Sequence, residues 1–263
     1  MSGILTRMEL TGKTAIVTGG SAGIGLAIAR LLGSKGARVA ICGRSRARLR
    51  RASDELTALG ITALAEECDV QDSGEVQSFV TEVAGRFGSI DILVNNAGAN
   101  EPTPMHEPDD AAWQRNIRTC LDGAYYCTTR VLPHMHDGGR LVYIASVTAK
   151  FGVPGSSGYC AAKHGLLGLV RSVALELAPR KITANAVCPG WVETDLAQTV
   201  MKRVADGLGR DYASTRDLLL RRVPLGEIIQ PEEVAALVGY LVSTEARNVT
   251  GQAYNLCGGQ VMH

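Results

Sequence analysis

Residues 13–42 hold the pattern that most restricts what this chain can become. Lys13 to Thr18 (KTAIVT) is a short, continuous apolar run, as expected of a parallel strand buried on both faces. Gly19-Gly20-Ser21-Ala22-Gly23-Ile24-Gly25 follows, then a helical pattern from Leu26 to Ser34, then a second apolar run at Arg38 to Cys42. A glycine turn placed between a strand and a helix lets the backbone come close to a pyrophosphate. The helix start adds free N–H groups and the positive end of a dipole. Gly19, Gly23 and Gly25 are spaced G-x3-G-x-G. A plain strand-to-helix turn would look the same locally, but the second strand that follows at once favours dinucleotide binding.

The end of that second strand bears on which dinucleotide fits. An NAD site usually carries Asp or Glu there to accept from the ribose 2′-OH. This chain has Gly43-Arg44-Ser45. Arg44 can fork onto a 2′-phosphate, so NADP(H) is favoured and NAD(H) stays open as the alternative. Arg46, Arg48, Arg50 and Arg51 follow, and for most of them the solvated face of a helix over 45–59 is the preferred reading.

The alternation continues to the end of the chain. Further strands are expected at 62–68, 90–94, 138–146, 182–188 and 252–256. Helices are expected over about 72–87, 109–135, 157–178 and 195–222, with another from Pro231 at its first turn. No repeat or low-complexity linker interrupts them. The pattern predicts an α/β chain in one domain over 1–263, with a Rossmann-like doubly wound parallel sheet of about seven strands and helices on both faces. In such a sheet the strand C-termini line the ligand crevice. That places Asp69 and Val70, Asn96, Ser146 and the segment 189–194 there. Asp69 reads equally well as the cap of the helix after it.

Composition excludes several classes. Twenty-seven Lys and Arg against 26 Asp and Glu leave a charge of +1, which gives no reason to expect nucleic acid or an acidic membrane surface. No apolar run is long enough to span a bilayer, and Met1 to Gly12, with Arg7 and Glu9, lacks a signal-peptide core. The seven cysteines are scattered and never form C-x-x-C, so no metal site is expected and a reducing cytoplasm fits.

Tyr159 and Lys163 are four residues apart at the start of a long apolar helical pattern, on one face and about one turn apart. A phenol ordinarily ionises near 10. Bringing it to about 7 takes about 4 kcal/mol of differential interaction, which a nearby ammonium can provide. The pair is a candidate general acid/base, although such pairs are also common on solvated helix faces. Ser146, thirteen residues before Tyr159, adds a hydroxyl at the same crevice.

Taken together, Thr18-Gly19-x-x-x-Gly23-Ile24-Gly25, Asn95-Asn96-Ala97-Gly98, Ser146, Tyr159-x-x-x-Lys163 and Pro189-Gly190 resemble the short-chain dehydrogenase/reductase family from about Leu10 to Gly259. The resemblance implies an NADPH-dependent oxidoreductase that reduces a ketone to a secondary alcohol, and an NAD(P)+-dependent alcohol dehydrogenase is the alternative. It implies Tyr159 as proton donor, Lys163 as the group that lowers its pKa and holds the nicotinamide ribose, and Ser146 as a hydrogen bond to the carbonyl oxygen. Gly19, Ser21 and Ile24 would line the pyrophosphate, Arg44 and Ser45 the 2′-phosphate, and Asp69, Val70 and Asn96 the adenosine side. Val192 and Thr194 would meet the nicotinamide and phosphate end. A homodimer or homotetramer paired through the helices at 109–136 and 157–178 is implied as well.

Two departures stand out. Ala22 occupies the place where the family often has Lys or Arg. Cys120 falls where the family usually carries an Asn, and Asn116 lies one turn earlier. A cysteine keeps the backbone carbonyl that helps hold a relay water but loses the side-chain amide, so a working, slower proton relay is expected. Cys120 is also the one feature favouring a non-catalytic redox sensor that binds the cofactor. The segment 193–223, with Leu196, Val200, Met201, Val204, Leu208 and Tyr212, is expected to form a substrate lid for a bulky, cyclic or polyketide-like ketone. A helix pair packing on its own core is the equal alternative.

Overall fold

The computed structural model describes residues 10–263, so most of the N-terminal signal-peptide reading lies outside the described residues. The apolar runs form β1 (Thr14–Thr18), β2 (Arg38–Gly43), β3 (Ala63–Glu67), β4 (Ile92–Asn95), β5 (Arg140–Ile144), β6 (Thr183–Pro189) and β7 (Ala253–Leu256). They make one seven-stranded sheet in the order β3-β2-β1-β4-β5-β6-β7, with every pairing parallel. Chain order reverses between β1 and β4, so the connections leaving these two strands diverge and open a crevice at their C-terminal ends.

Side chains alternate across the sheet, and each face is covered by helices. On one face α3 (Ser73–Phe87), α5 (Gly123–Val131) and α6 (Ser157–Leu177) pack on Ile16, Leu93, Leu141 and Tyr143. On the other, α1 (Gly23–Ser34), α2 (Arg46–Ala58) and α9 (Pro231–Leu241) pack on Ala15, Val17, Val94 and Val142. Continuous apolar strands are therefore the consequence of two cores rather than one. Helix α9 starts at Pro231, with Gln230 and Glu233 capping each other's backbone N–H groups.

Three expectations are corrected. The stretch 109–135 is not one regular helix: α4 (Asp110–Ile117) and α5 are joined by a π turn at Arg118–Asp122, with Cys120 at its centre. The stretch 195–222 is two helices, α7 (Asp195–Leu208) and α8 (Tyr212–Leu220), because Gly209 at φ +60° ends the first in a left-handed cap. Asp69 does not cap α3. Asp72 does, accepting from the N–H groups of Gly74 and Glu75 at 2.7 and 3.0 Å, while Asp69 binds Gln71.

Candidate active site

The crevice is a cleft of about 680 Å³, a size that suits a cofactor with a small molecule. Its floor is the C-terminal ends of β1, β4, β5 and β6, represented by Gly19, Asn96, Ile144 to Ser146 and Pro189-Gly190. One side is the glycine turn. Gly19 and Gly23 sit at φ +63° and +51°, conformations that side chains rarely adopt. A Cβ on Gly25 would lie 2.4 Å from the Gly19 carbonyl oxygen, so only glycine lets α1 start this close to β1. Asn96 holds the turn from below, its Nδ2 donating to the carbonyls of Thr18 and Gly19 at 2.9 and 3.2 Å. Thr18 Oγ1 in turn accepts from the N–H groups of Asn96 and Ala97, both at 3.0 Å.

Ser146 stands where β5 leaves the sheet. Its Oγ accepts from the N–H of Thr148 at 3.2 Å and from Thr148 Oγ1 at 2.9 Å. Both acceptor positions are thus occupied, and its own proton is left to donate. Tyr159, two residues into α6, lines the cleft beside it. Lys163, only 3% exposed, donates from Nζ to the Ile144 carbonyl at 2.7 Å and sits 5.7 Å from the Tyr159 ring centroid. Burial pushes the Tyr159 phenol well above its ordinary value. Cys120 adds to this, and the Ser146 hydroxyl offsets part of it. The Lys163 ammonium, engaged by the Ile144 carbonyl, is not among the influences on the phenol in the cofactor-free chain, where desolvation of the phenolate is the largest.

Cys120 and Asn116 act as a pair. Asn116 accepts from the Glu101 N–H at 2.9 Å and donates to its carbonyl at 3.0 Å. Cys120 does the same for Ala99, with Sγ accepting at 3.4 Å and donating at 3.3 Å. Two side chains one turn apart thus dock alternate residues of the extended segment after β4, as a neighbouring strand would. The thiol does the holding work assigned to an amide. Beside it, a small pocket of about 10 Å³, room for one water, is lined by Lys163, Thr18, Asn95, Thr119 and Cys120.

The remaining expected site residues divide into two groups. Gly19, Ile24, Asn96, Ser146, Tyr159, Lys163, Val192 and Thr194 line the cleft. Ser21, Arg44, Ser45, Asp69 and Val70 lie outside its wall. Ser45 Oγ caps α2 by accepting from the Arg48 N–H, and Val70 is packed beneath α5, where a Cβ on Gly123 would meet it at 2.7 Å. Thr194 Oγ1 caps α7 by accepting from Ala197 N at 3.3 Å. The sequence reading did not place Arg48 and Gln260 in the wall. They carry no motif, and only the approach of α2 and the C-terminal segment brings them there. Among the described residues there is no cluster of His, Cys, Asp and Glu that could hold a metal, and no helix is long and apolar enough to cross a membrane.

The family model described as Enoyl-(Acyl carrier protein) reductase matches residues 19–260. A Streptomyces coelicolor protein provisionally named a ketoacyl reductase is 41% identical over 94% of this chain and 96% of its own length. D-beta-hydroxybutyrate dehydrogenase of Cupriavidus necator is 36% identical over 96% of this chain and 99% of its own. A crystal structure of a substituted actinorhodin polyketide ketoreductase with NADPH superposes at a TM-score of 0.92, with 41% identity and 97% and 98% of the two chains covered. With the sheet order and the motif geometry, these matches make the chain a member of the short-chain dehydrogenase/reductase family, whose enzymes interconvert carbonyl and alcohol groups with a nicotinamide cofactor.

Proposed function

We propose that this protein reduces a ketone to a secondary alcohol with NADPH, and that the ketone belongs to an acyl or polyketide-like chain. The observation that carries the reading is the convergence of Ser146, Tyr159 and Lys163 on one wall of the cleft, opposite the glycine turn. The residues present fit the cofactor. The glycine turn and the start of α1 offer N–H groups and a dipole end to a pyrophosphate, Ile24, Val192 and Thr194 flank it, and β2 ends without a carboxylate. When bound, the cofactor supplies the hydride that goes to the carbonyl carbon.

The chain's own residues handle the oxygen. Tyr159 gives its proton to it, since a phenol that ionises near 10 or above is protonated at neutral pH. Ser146 directs its free O–H at the same oxygen, so two donors meet charge that grows only in the transition state. Lys163 would hold the nicotinamide ribose, and a water in the small pocket beside it would return a proton from solvent to the Tyr159 phenolate. Cys120 lines that pocket while its thiol is engaged with Ala99.

The far wall favours a bulky substrate: Phe151, Val153, Trp191, Leu196, Val200 and Leu219 make it mostly apolar. Leu196, Val200 and Leu219 come from α7 and α8, in keeping with a lid over 193–223, while Met201, Ala205 and Leu220 on the same helices are buried beneath it. The alternative, oxidation of a secondary alcohol, uses the same residues in reverse and draws on the similarity to a hydroxybutyrate dehydrogenase. The protein is further taken to be a homo-oligomer of the cytoplasm, where its seven free, buried thiols would stay reduced.

The test is reduced-nicotinamide consumption over a panel of β-ketoacyl thioesters, cyclic ketones and secondary alcohols with both cofactors. Tyr159→Phe is expected to lower turnover by about 10²- to 10⁴-fold with NADPH binding intact. A variant that keeps turnover within a few-fold of the parent overturns the assignment of Tyr159.

A further inference from the structure

The glycine turn carries Ala22 where a basic side chain would serve a 2′-phosphate. Arg44 at the end of β2 is exposed, stands outside the cleft wall and has no ion-pair partner among the described residues. Helix α2 nevertheless brings another guanidinium to the cleft. Arg46 turns toward β3 and pairs with Glu67 at 2.8 Å. Arg48 turns the other way. It lies in the cleft wall with Ala22, Gly23 and Thr194, and its Nη2 is 3.3 Å from Asp195 Oδ2 at the start of α7.

We propose that Arg48 is a cofactor-specificity residue, the 2′-phosphate ligand that takes over from the missing basic residue at position 22, and that Asp195 holds it in the cleft until the phosphate arrives. This rests on the NADP(H) reading above. The C-terminal end of β2 is where a doubly wound fold reads the ribose 2′ position, and α2 starts there. Arg48 comes off the first turn of that helix, four residues after Arg44, so the two can approach one phosphate from neighbouring turns. A guanidinium has five donors in a planar fork, enough to keep one on Asp195 while the others face a phosphate. The side chains of Arg48 and Asp195 are 57% and 75% exposed. An ion pair this exposed adds little to fold stability, so redirecting Arg48 to a dianion costs little. Asp195 makes the pairing directional: without it, a long side chain at the cleft mouth would spread over many rotamers.

The experiment measures equilibrium binding, so it does not depend on turnover. Dissociation constants of NADPH, NADH, adenosine 2′-phosphate and adenosine 5′-phosphate are taken by calorimetry or nucleotide fluorescence for the parent, Arg48→Ala, Arg48→Lys and Asp195→Asn. Arg48→Ala is expected to weaken NADPH and adenosine 2′-phosphate about tenfold or more, with NADH and adenosine 5′-phosphate unchanged. Arg48→Lys should recover part of the loss, and Asp195→Asn should keep the preference for NADPH. Equal weakening of NADPH and NADH would place Arg48 on the pyrophosphate and overturn the proposal, as would unchanged binding of adenosine 2′-phosphate. A parent protein that takes NADH as well as NADPH overturns the cofactor reading itself. A parent preference that survives Arg48→Ala overturns the role of Arg48 alone.

Discussion

Tyr159 shows how far residue identity and environment can part company. Four-residue spacing to Lys163 is legible from the sequence and sets the two groups on one face, but it does not say which influence on the phenol is larger. Burial is larger, so the folded pKa lies above the ordinary value near 10. A raised pKa stabilises the fold at any pH below that ordinary value, and the contribution is lost only as pH climbs through the raised one. In the cofactor-free protein, tyrosinate absorbance below about pH 10 should therefore be the same for the parent and for Tyr159→Phe. A tyrosinate near pH 7 that disappears in the variant would contradict this. Ser146 was equally legible as a hydroxyl at a strand end, whereas the occupation of both its acceptor positions by Thr148 was not. Arg48 was the least legible. In sequence it is one arginine among several on a polar helix, and only the arrival of Asp195 from 147 positions away, with Oδ2 3.3 Å from its Nη2, singles it out.

At the scale of elements, apolar runs and glycine or proline punctuation located all seven strands to within two residues at most of their ends. Irregularities in the helices were hidden, because a π turn has no residue signature and the apolar face continues through it. The π turn at Arg118–Asp122 carries Cys120, whose thiol makes both hydrogen bonds to Ala99. Cys120→Ala removes both and leaves a small void in a buried position, so a loss of about 1–2 kcal/mol is expected in chemical denaturation. Cys120→Asn restores a donor and an acceptor, and its turnover and pH profile should stay close to those of the parent. A large gain in turnover with Asn would show instead that the thiol limits the proton relay. The break at Gly209 was readable in principle, since glycine followed by a polar run and Asp211 marks a helix stop and a new cap.

For the whole molecule, two apolar cores leave some large side chains uncovered on the helices expected to pair copies. Leu175 on α6 is 79% exposed and Tyr125 on α5 is 51% exposed. Gel filtration is expected to give a dimer or tetramer, and Leu175→Glu to shift it toward monomer by placing a charge in that contact. A monomeric parent would refute the pairing. By itself the sequence determined the alternation of strands and helices, the doubly wound sheet and the glycine turn. All of these follow from local preference and hydrophobic period, which act over a few residues and are written in order along the chain. Only the tertiary structure decided the direction in which Tyr159 titrates, the use of Asn96 and Thr18 to brace the glycine turn, the replacement of an amide by the Cys120 thiol, and the presence of Arg48 in the cleft. Each depends on desolvation or on a partner many residues away. Such effects arise from distances in space, which the order of residues along the chain does not carry.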